Sequence, residues 1–183
     1  MMIQKKPIIR KATTEEANLI EDYVNKYFGL EAQKYMQQFS FWIKQGNVRE
    51  VFVLGENVET IVEKISAYVY SVGIPIGSFW GSKFQIEVEG SALLFSRTSK
   101  KVTVKTDQFL YGKHVFVENI ETISSDFSKG DMVLVVGKNS LHYGVGKVEI
   151  NSDEIQNAPT NSILIKGSRD KPLDRGWYLR RGN

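Results

Sequence analysis

Cysteine is absent from the 183 residues, and histidine occurs only twice. Without cysteine the chain can form no disulfide, can use no thiolate nucleophile and can hold no cysteine-ligated zinc. The two histidines, His114 and His142, lie in separate strand-like segments, and neither belongs to an HxxxH or HxxE ligand pattern. Both are therefore predicted to be structural or surface residues.

Catalytic and cofactor-binding motifs are missing as well. The chain has no GxSxG nucleophile elbow, no Walker loop and no GxGxxG fingerprint after a strand. Gly144 and Gly146 predict a turn or bulge. Glu87 and Glu89 would share one face of a regular strand, where a solvated surface is commoner than a paired acid site. We expect no enzyme activity, no metal and no cofactor.

A long apolar run is the third absence. Residues 65–82 carry no charge, but Gly73 and Pro75 interrupt them, so they cannot form a continuous membrane-spanning helix. The glycines of this stretch, Gly73, Gly77 and Gly81, predict turns or close backbone contacts. The first residues lack the apolar core of a signal peptide. A membrane role is not expected, and the uncharged stretch is a candidate surface for docking another protein.

The N-terminal half shows alternating helix and strand patterns. A short edge strand at Ile8 and Ile9 precedes a helix that begins near Thr13, carries an apolar face and stops at Gly29. A short helix over 31–38 and a hairpin of strands 39–44 and 49–54 follow. The strongest helix prediction covers 57–71, where an apolar stripe runs from Val58 to Val69. Alternation at 84–88 predicts a further strand.

A polar, basic stretch at 97–101 is the candidate linker between two domains, residues 1–98 and residues 99–183. Beyond it, one helical turn at 106–110 and several short strands separated by turns predict a small barrel or sandwich. The fold class is therefore α+β with two domains: an N-terminal α/β domain with an antiparallel sheet and helices, and a mostly β C-terminal domain.

Positive charge is concentrated at the C-terminal end. Residues 163–183 contain six basic and two acidic residues, whereas the whole chain carries a net charge of only +3. Such a patch is typical of a polyanion-binding surface, and nucleic acid is the leading partner class. Trp177 and Tyr178 interrupt the charges, so we expect a packed end with Trp177 in the core. The candidate RNA-binding residues are Lys166, Arg169, Lys171, Arg175, Arg180 and Arg181.

Four motifs in the C-terminal half carry a family resemblance: FLYGKHVF at 109–116, the Gly130-Asp131 turn before MVLVV, YGVGKV at 143–148, and GWYLRRG at 176–182. The segment from Val102 onward resembles a PUA domain, a pseudo-β-barrel RNA-binding module. GIPIGSFWGSKFQIEVEGSALL at 73–94, followed after a short gap by FLYGKHVF, is similar to the Nip-seven family of large-subunit ribosome-biogenesis factors, and the terminal WYLRRG is closest to archaeal members.

The resemblance implies a non-enzymatic factor in pre-rRNA processing and large-subunit assembly. It implies binding of pre-rRNA or U-rich single strands, contact with other assembly factors and, in archaeal members, with the RNA exosome. The location would be cytoplasmic, or nucleolar in a eukaryotic source. By similarity, RNA contacts fall on Lys166, Arg169, Lys171 and Arg175. Two alternatives stay open: an RNA-modifying enzyme guided by the PUA half, for which Asp22 is the one aspartate before the linker, and a protein-binding scaffold.

Overall fold

The computed structural model describes residues 8–181, with side chains as far as Arg180. Its first half is built on a five-stranded sheet in which every neighbouring pair is antiparallel, in the order β1-β2-β3-β4-β5. The strands are β1 Ile9–Lys11, β2 Ser40–Lys44, β3 Arg49–Leu54, β4 Ile74–Trp80 and β5 Lys83–Ile86. The predicted edge strand and the predicted hairpin are confirmed.

Two consecutive helices cover one face of this sheet, α1 Thr14–Phe28 and α2 Leu30–Met36. Thr13 and Glu16 form a capping box at the start of α1, as the hydroxyl and acid at this spacing predict. Gly29 adopts a positive φ of 90° between the two helices, a conformation that glycine tolerates without strain. The apolar face of α1 is buried in the core, so the helix and its stop are confirmed.

The predicted helix over 57–71 is much shorter in the structure. Helix α3 spans Glu59–Ile65, and turns follow it. Only Val62 of the predicted stripe is buried, against Trp42 and Phe52, while Ile61 and Ile65 are exposed. A helix in a protein is sustained mainly by burial of its apolar face, and one buried residue does not sustain four turns. The predicted helix is therefore confirmed over 59–65, and its predicted extension to residue 71 is wrong.

Strand β5 ends at Ile86, and helix α4, Val88–Leu93, begins directly after it. The expected face shared by Glu87 and Glu89 is therefore wrong, because the first precedes the helix and the second lies within it. Ser78 Oγ donates a hydrogen bond of 2.8 Å to Glu87 Oε1. Burial raises the pKa of the Glu87 carboxyl group, and the hydrogen bond from Ser78 offsets part of this rise.

The second half is built on a six-stranded sheet in the order β7-β11-β10-β9-β6-β8, with one parallel pair, β6 and β9. A bulge in β10 falls between His142 and Gly144, as the glycine pair predicted. Short 3-10 helices cover Gln108–Tyr111, Val117–Asn119 and Ser152–Asn157. The remaining elements are β6 Lys101–Val104, β7 Val115–Phe116, β8 Ile120–Ile123, β9 Met132–Gly137, β10 His142–Val148, β11 Ile163–Lys166 and α5 Trp177–Arg181.

The two sheets share a core. Phe79, Phe84 and Ile86 from the first sheet belong to one buried cluster with Leu134 and Val145 from the second. Helix α4 packs on β10. Residues 97–101 join the halves without an extended linker, since Lys101 already belongs to β6. The interface therefore fixes one half against the other, while a domain boundary at 98/99 stays a prediction.

Candidate nucleic-acid interface

The C-terminal end is anchored by a buried carboxylate. Asp174 is 1% exposed, and both of its oxygens accept hydrogen bonds of 2.9 Å from the Arg180 guanidinium. Arg180 also donates to the carbonyl oxygen of Leu110. The hydrogen bond with Asp174 raises the pKa of Arg180. This end is packed, as predicted, and Arg180 holds it through these hydrogen bonds. A contact of Arg180 with RNA stays a prediction.

Arg169, Arg175 and Arg181, three further predicted RNA-binding residues, do not form a single cluster. Arg175 is exposed, and its Nε donates to the backbone oxygen of His142 at 2.8 Å. Arg169 is exposed in the loop after β11. The side chain of Arg181 lies outside the described residues. Trp177 is half-buried beside Tyr178, so its expected place in the core is wrong.

Lys166 and Lys171 do come together, on a groove of about 620 Å³ between the two sheets. Lys147 of β10 and Lys83 of β5 also line it. Among residues 8–181, every lining residue is basic or uncharged. Four lysines without a lining carboxylate produce a positive potential in a concave site, where low-dielectric walls focus the field.

The strand register forces two of these charges together. Lys147 and Lys166 are direct antiparallel partners of β10 and β11, and both side chains are exposed. Like charges at opposed positions destabilise a sheet. Glu149 Oε1 lies 3.2 Å from Lys166 Nζ and relieves the repulsion in part. A bound anion would relieve the rest, which makes the pair a suitable place for a phosphate group.

The floor of the groove is aromatic and apolar. Tyr23 and Tyr27 of α1 meet at 4.7 Å between ring centroids, and Tyr23 contacts Phe84 of β5 at 5.2 Å. Leu173 closes the floor from the second half. Burial raises the pKa of Tyr23, so this phenol stays neutral. The groove thus combines apolar surface with peripheral cations, the composition of a site for an anion that carries flat rings.

The basic C-terminal run predicts only part of this groove. It contains Lys166 and Lys171, whereas Lys83, Lys147 and Trp80 lie outside it and were not predicted. Each of these three is separated from the run by many residues, and only the packing of one sheet on the other brings them together. The single local signal was the pair Trp80 and Lys83 at either end of a glycine-serine turn.

Both histidines have structural positions, in agreement with their predicted role. His114 Nδ1 accepts a hydrogen bond of 3.1 Å from the Gly167 backbone and so orients the loop that carries Arg169 and Lys171. His142 is buried, with Nε2 at 3.0 Å from Ser91 Oγ of α4. Within residues 8–181, no three His, Asp or Glu side chains converge as they would on a metal ion.

Sequence profiles of two domains match the chain in tandem. The pre-PUA domain of NIP7/UPF0113 matches residues 9–88. This range includes all five strands of the first sheet and helices α1 to α3, and it ends at the first residue of α4. The UPF0113 PUA domain matches residues 100–183, which include the whole second sheet. The chain belongs to the NIP7/UPF0113 family. The resemblance to the Nip-seven family, and a PUA domain as the C-terminal half, are thereby confirmed.

Two relatives of known family align along nearly the full chain. A UPF0113 protein of Archaeoglobus fulgidus is 25% identical over 174 residues, which cover 93% of this chain and 94% of the relative. The 60S ribosome subunit biogenesis protein NIP7 of Saccharomyces cerevisiae is 25% identical over 186 residues, with coverage of 94% and 96%. The alignments therefore extend over both halves of this NIP7/UPF0113 chain.

Solved structures show the same fold. A hypothetical protein of Pyrococcus horikoshii superposes with a TM-score of 0.66 at 14% identity and covers 94% of this chain and 99% of its own. A conserved PUA domain protein of Thermoplasma acidophilum gives 0.63 at 18% identity, with coverage of 95% and 98%. The predicted α+β class with a C-terminal PUA domain is confirmed. Among residues 8–181, every helix falls short of the length and apolar character needed to cross a membrane.

Proposed function

We propose that this NIP7/UPF0113 chain is an RNA-binding ribosome-biogenesis factor that acts without enzymatic activity in pre-rRNA processing and large-subunit assembly. Its yeast relative is named as a 60S subunit biogenesis protein. The observation that carries the proposal is the groove placed against the PUA domain, a groove that has four lysines and, among residues 8–181, no lining carboxylate. Lysine ammonium groups pair with phosphates whatever the base sequence, so this groove would hold the RNA backbone.

The RNA in this proposal is pre-rRNA or a U-rich single strand. Single strands leave their bases free to be read beside the phosphate contacts, whereas the deep major groove of duplex RNA hides them. Lys166, Lys171 and Lys147 would provide the phosphate contacts, and exposed Arg169 and Arg175 would extend the positive surface. We place this activity in the cytoplasm of an archaeal-type cell.

Assembly factors would dock on a different face. Around α3, the side chains of Ile61, Ile65, Tyr68, Tyr70 and Ile74 are all at least two-fifths exposed. A cluster of exposed apolar side chains on a monomer is typical of a protein-interaction surface. We propose this face for ribosome assembly factors and, in archaeal members, for the RNA exosome. It leaves the groove free for RNA.

The test is an anisotropy titration of the whole chain with a U-rich single-stranded RNA at several salt concentrations. The groove variant changes Lys147, Lys166 and Lys171 to Ala. A matched control changes three exposed lysines outside the groove, Lys34, Lys64 and Lys138, and so removes the same charge. For single strands each lost phosphate contact makes the slope of log K against log salt shallower by about 0.7. The groove variant, which lacks three lysines, should therefore have a slope shallower by about 2 than that of the unaltered chain.

Three outcomes distinguish a specific RNA site from nonspecific charge attraction and from a protein-binding scaffold. Weaker binding and a shallower slope in the groove variant alone support the RNA site. Equal losses in the groove variant and the matched control would show nonspecific attraction by net charge and would overturn the assignment. If the unaltered chain ignores RNA but binds an acidic protein, the scaffold alternative replaces the proposal.

A further inference from the structure

The β4–β5 hairpin places a tryptophan at the edge of the groove. Trp80 ends β4, pairs with Lys83 across a two-residue turn, and is 55% exposed. Gly81 has a φ of 62°, and its carbonyl oxygen accepts a hydrogen bond of 2.6 Å from Arg49, which fixes the turn. The adjacent Phe79 is buried. The chain thus holds a large exposed ring on a rigid element.

A cation from the other half of the molecule meets this ring. Lys171 Nζ lies 5.6 Å from the Trp80 ring centroid, and it donates a hydrogen bond of 2.9 Å to Gln85 Oε1 of β5. The hydrogen bond ties the loop after β11 to the hairpin. An ammonium group at this distance stabilises the ring electrostatically and stands where the phosphate of a nucleotide stacked on Trp80 would need a partner.

The surroundings match one kind of ligand. Lys166 and Lys147 continue the positive surface from Lys171 along β11 and β10, while the floor between them and Trp80 is apolar. A lone exposed tryptophan is unremarkable on a protein surface. An exposed tryptophan bordered by lysines, with no carboxylate lining the groove among residues 8–181, is complementary to an anion that also has flat aromatic faces.

We propose that Trp80 stacks on an unpaired nucleobase of single-stranded RNA whose phosphates contact Lys171, Lys166 and Lys147. The inference rests on the proposed RNA-binding function and adds to it a site shared by the two halves, in which the pre-PUA domain provides the base-stacking ring. The base must be unpaired, because both faces of a base within a duplex are already stacked on its neighbours. An acidic protein surface is the competing occupant, and the experiment distinguishes the two.

The experiment measures tryptophan fluorescence and affinity together, with the full chain and a U-rich single-stranded RNA. Heparin is the second titrant, because it presents a polyanion without bases. Stacking on Trp80 predicts that RNA quenches the fluorescence and that heparin at saturation does not. The chain has three tryptophans, and Trp42 is buried, so a Trp80→Phe variant identifies the ring responsible. Its quenching should vanish while its affinity stays within about threefold, because phenylalanine also stacks.

Removal of the ring tests the contribution to binding. Trp80→Ala should weaken RNA binding roughly 5- to 150-fold, the fold-change that corresponds to the loss of one base-stacking aromatic, and should leave heparin binding unchanged. Tyr111→Ala is the matched control, since Tyr111 is an aromatic residue as exposed as Trp80, at 56% against 55%, and lies outside the groove. Unchanged circular dichroism establishes that each variant is folded. The fluorescence of the unaltered chain and the Phe variant decides the question if the Ala variant does not fold.

Failure of the inference can be told from failure of the proposed function. If RNA binds the unaltered chain and Trp80→Ala binds it equally well, the stacking site is wrong and RNA binding by the PUA domain stands. Equal quenching by RNA and heparin would also overturn the stacking site. If neither RNA nor heparin binds while an acidic protein does, both proposals fail.

Discussion

At the scale of single residues, the carboxylate of Glu16 accepts four hydrogen bonds within the first half. Arg10 donates to its two oxygens at 2.8 and 2.9 Å, Arg49 donates to one of them at 2.6 Å, and the Thr13 backbone donates at 2.9 Å. The hydrogen bond from Arg10 is the main reason that the pKa of Glu16 is lowered to about 2. One carboxylate therefore joins β1, β3 and the start of α1.

We predict that Glu16→Gln lowers the free energy of unfolding by about 2–3 kcal/mol at pH 7, because two arginines lose their shared partner. Since folding lowers this pKa, the ionised carboxylate stabilises the fold above about pH 5, and the contribution disappears as the pH falls towards 2. Urea denaturation at pH 7 and pH 3 measures both values. The variant and the unaltered chain should differ much less at pH 3.

Glu15→Gln is the matched control, because Glu15 is the neighbouring acid on α1 and is exposed. It should change stability by less than about 0.5 kcal/mol. An equal loss in both variants would mean that the general charge of the first helical turn, and not the arginine network, provides the stability.

At the scale of elements, the contact of α4 with β4 depends on a missing side chain. A Cβ on Gly90 would collide with the Ile76 carbonyl oxygen and would lie 2.8 Å from Ile86 Cγ1. Helix α4 therefore lies directly on the backbone of β4. Because α4 also packs on β10, this close approach lies within the packing of the first sheet against the second.

We predict that Gly90→Ala destabilises the chain by about 1–2 kcal/mol, because overpacking costs about 1–3 kcal/mol and the better helix propensity of alanine returns up to about 1 kcal/mol. Gly55→Ala is the control, since a Cβ on Gly55 meets no atom within 4 Å. Thermal unfolding should show a lower midpoint for the first variant alone. Equal midpoints would contradict the close packing of α4 on β4.

At the scale of the whole molecule, His142 lies at the junction of the two halves. Ser91 Oγ donates to the Val88 carbonyl oxygen at 2.9 Å, so Nε2–H of His142 donates to Ser91 Oγ. Nδ1 is buried and accepts no hydrogen bond among the described residues. Burial, and then the charge of Arg175, lower the pKa of His142 to about 4. A second proton, on Nδ1, would have no acceptor among the described residues, and the resulting positive ring would be repelled by Arg175.

We predict that the junction is acid-sensitive. The unfolded chain protonates His142 near its ordinary pKa of about 6.5 and the folded chain only near 4, so the unfolded state binds more protons between these values. Stability should therefore fall as the pH decreases from 6.5 to 4.5, by about 2–3 kcal/mol. Denaturation at a series of pH values should show this slope, and His142→Gln should remove most of it.

His114→Gln is the control for the second histidine, which lies by the Gly167 loop and not between α4 and β10. It should keep the slope. If the slope persists in His142→Gln and disappears in His114→Gln, the acid sensitivity belongs to the loop and the interpretation of the junction is wrong.

Local elements could be predicted from the residue pattern wherever one pattern decided them. The capped helix α1, the β2–β3 hairpin and the bulge at Gly144 follow from residues close together in the chain, because caps, turns and alternation act over a few residues. The motifs of the second half also sufficed for the family. The concentrated charge located Lys166 and Lys171, two of the four lysines of the groove.

The length of α3, the contacts of Arg180 and the position of the groove depend on how distant parts of the chain pack, and the residue pattern did not predict them. Beyond Ile65, Tyr68 is exposed and Val69 is only partly buried, so the stripe covers too little apolar surface to extend the helix. Arg180 is neutralised by Asp174, whose burial no charge count reveals. Trp80 and Lys147 reach one groove because two sheets share a core. Contacts between residues so far apart depend on how complete elements pack, and a local pattern carries no information about that packing.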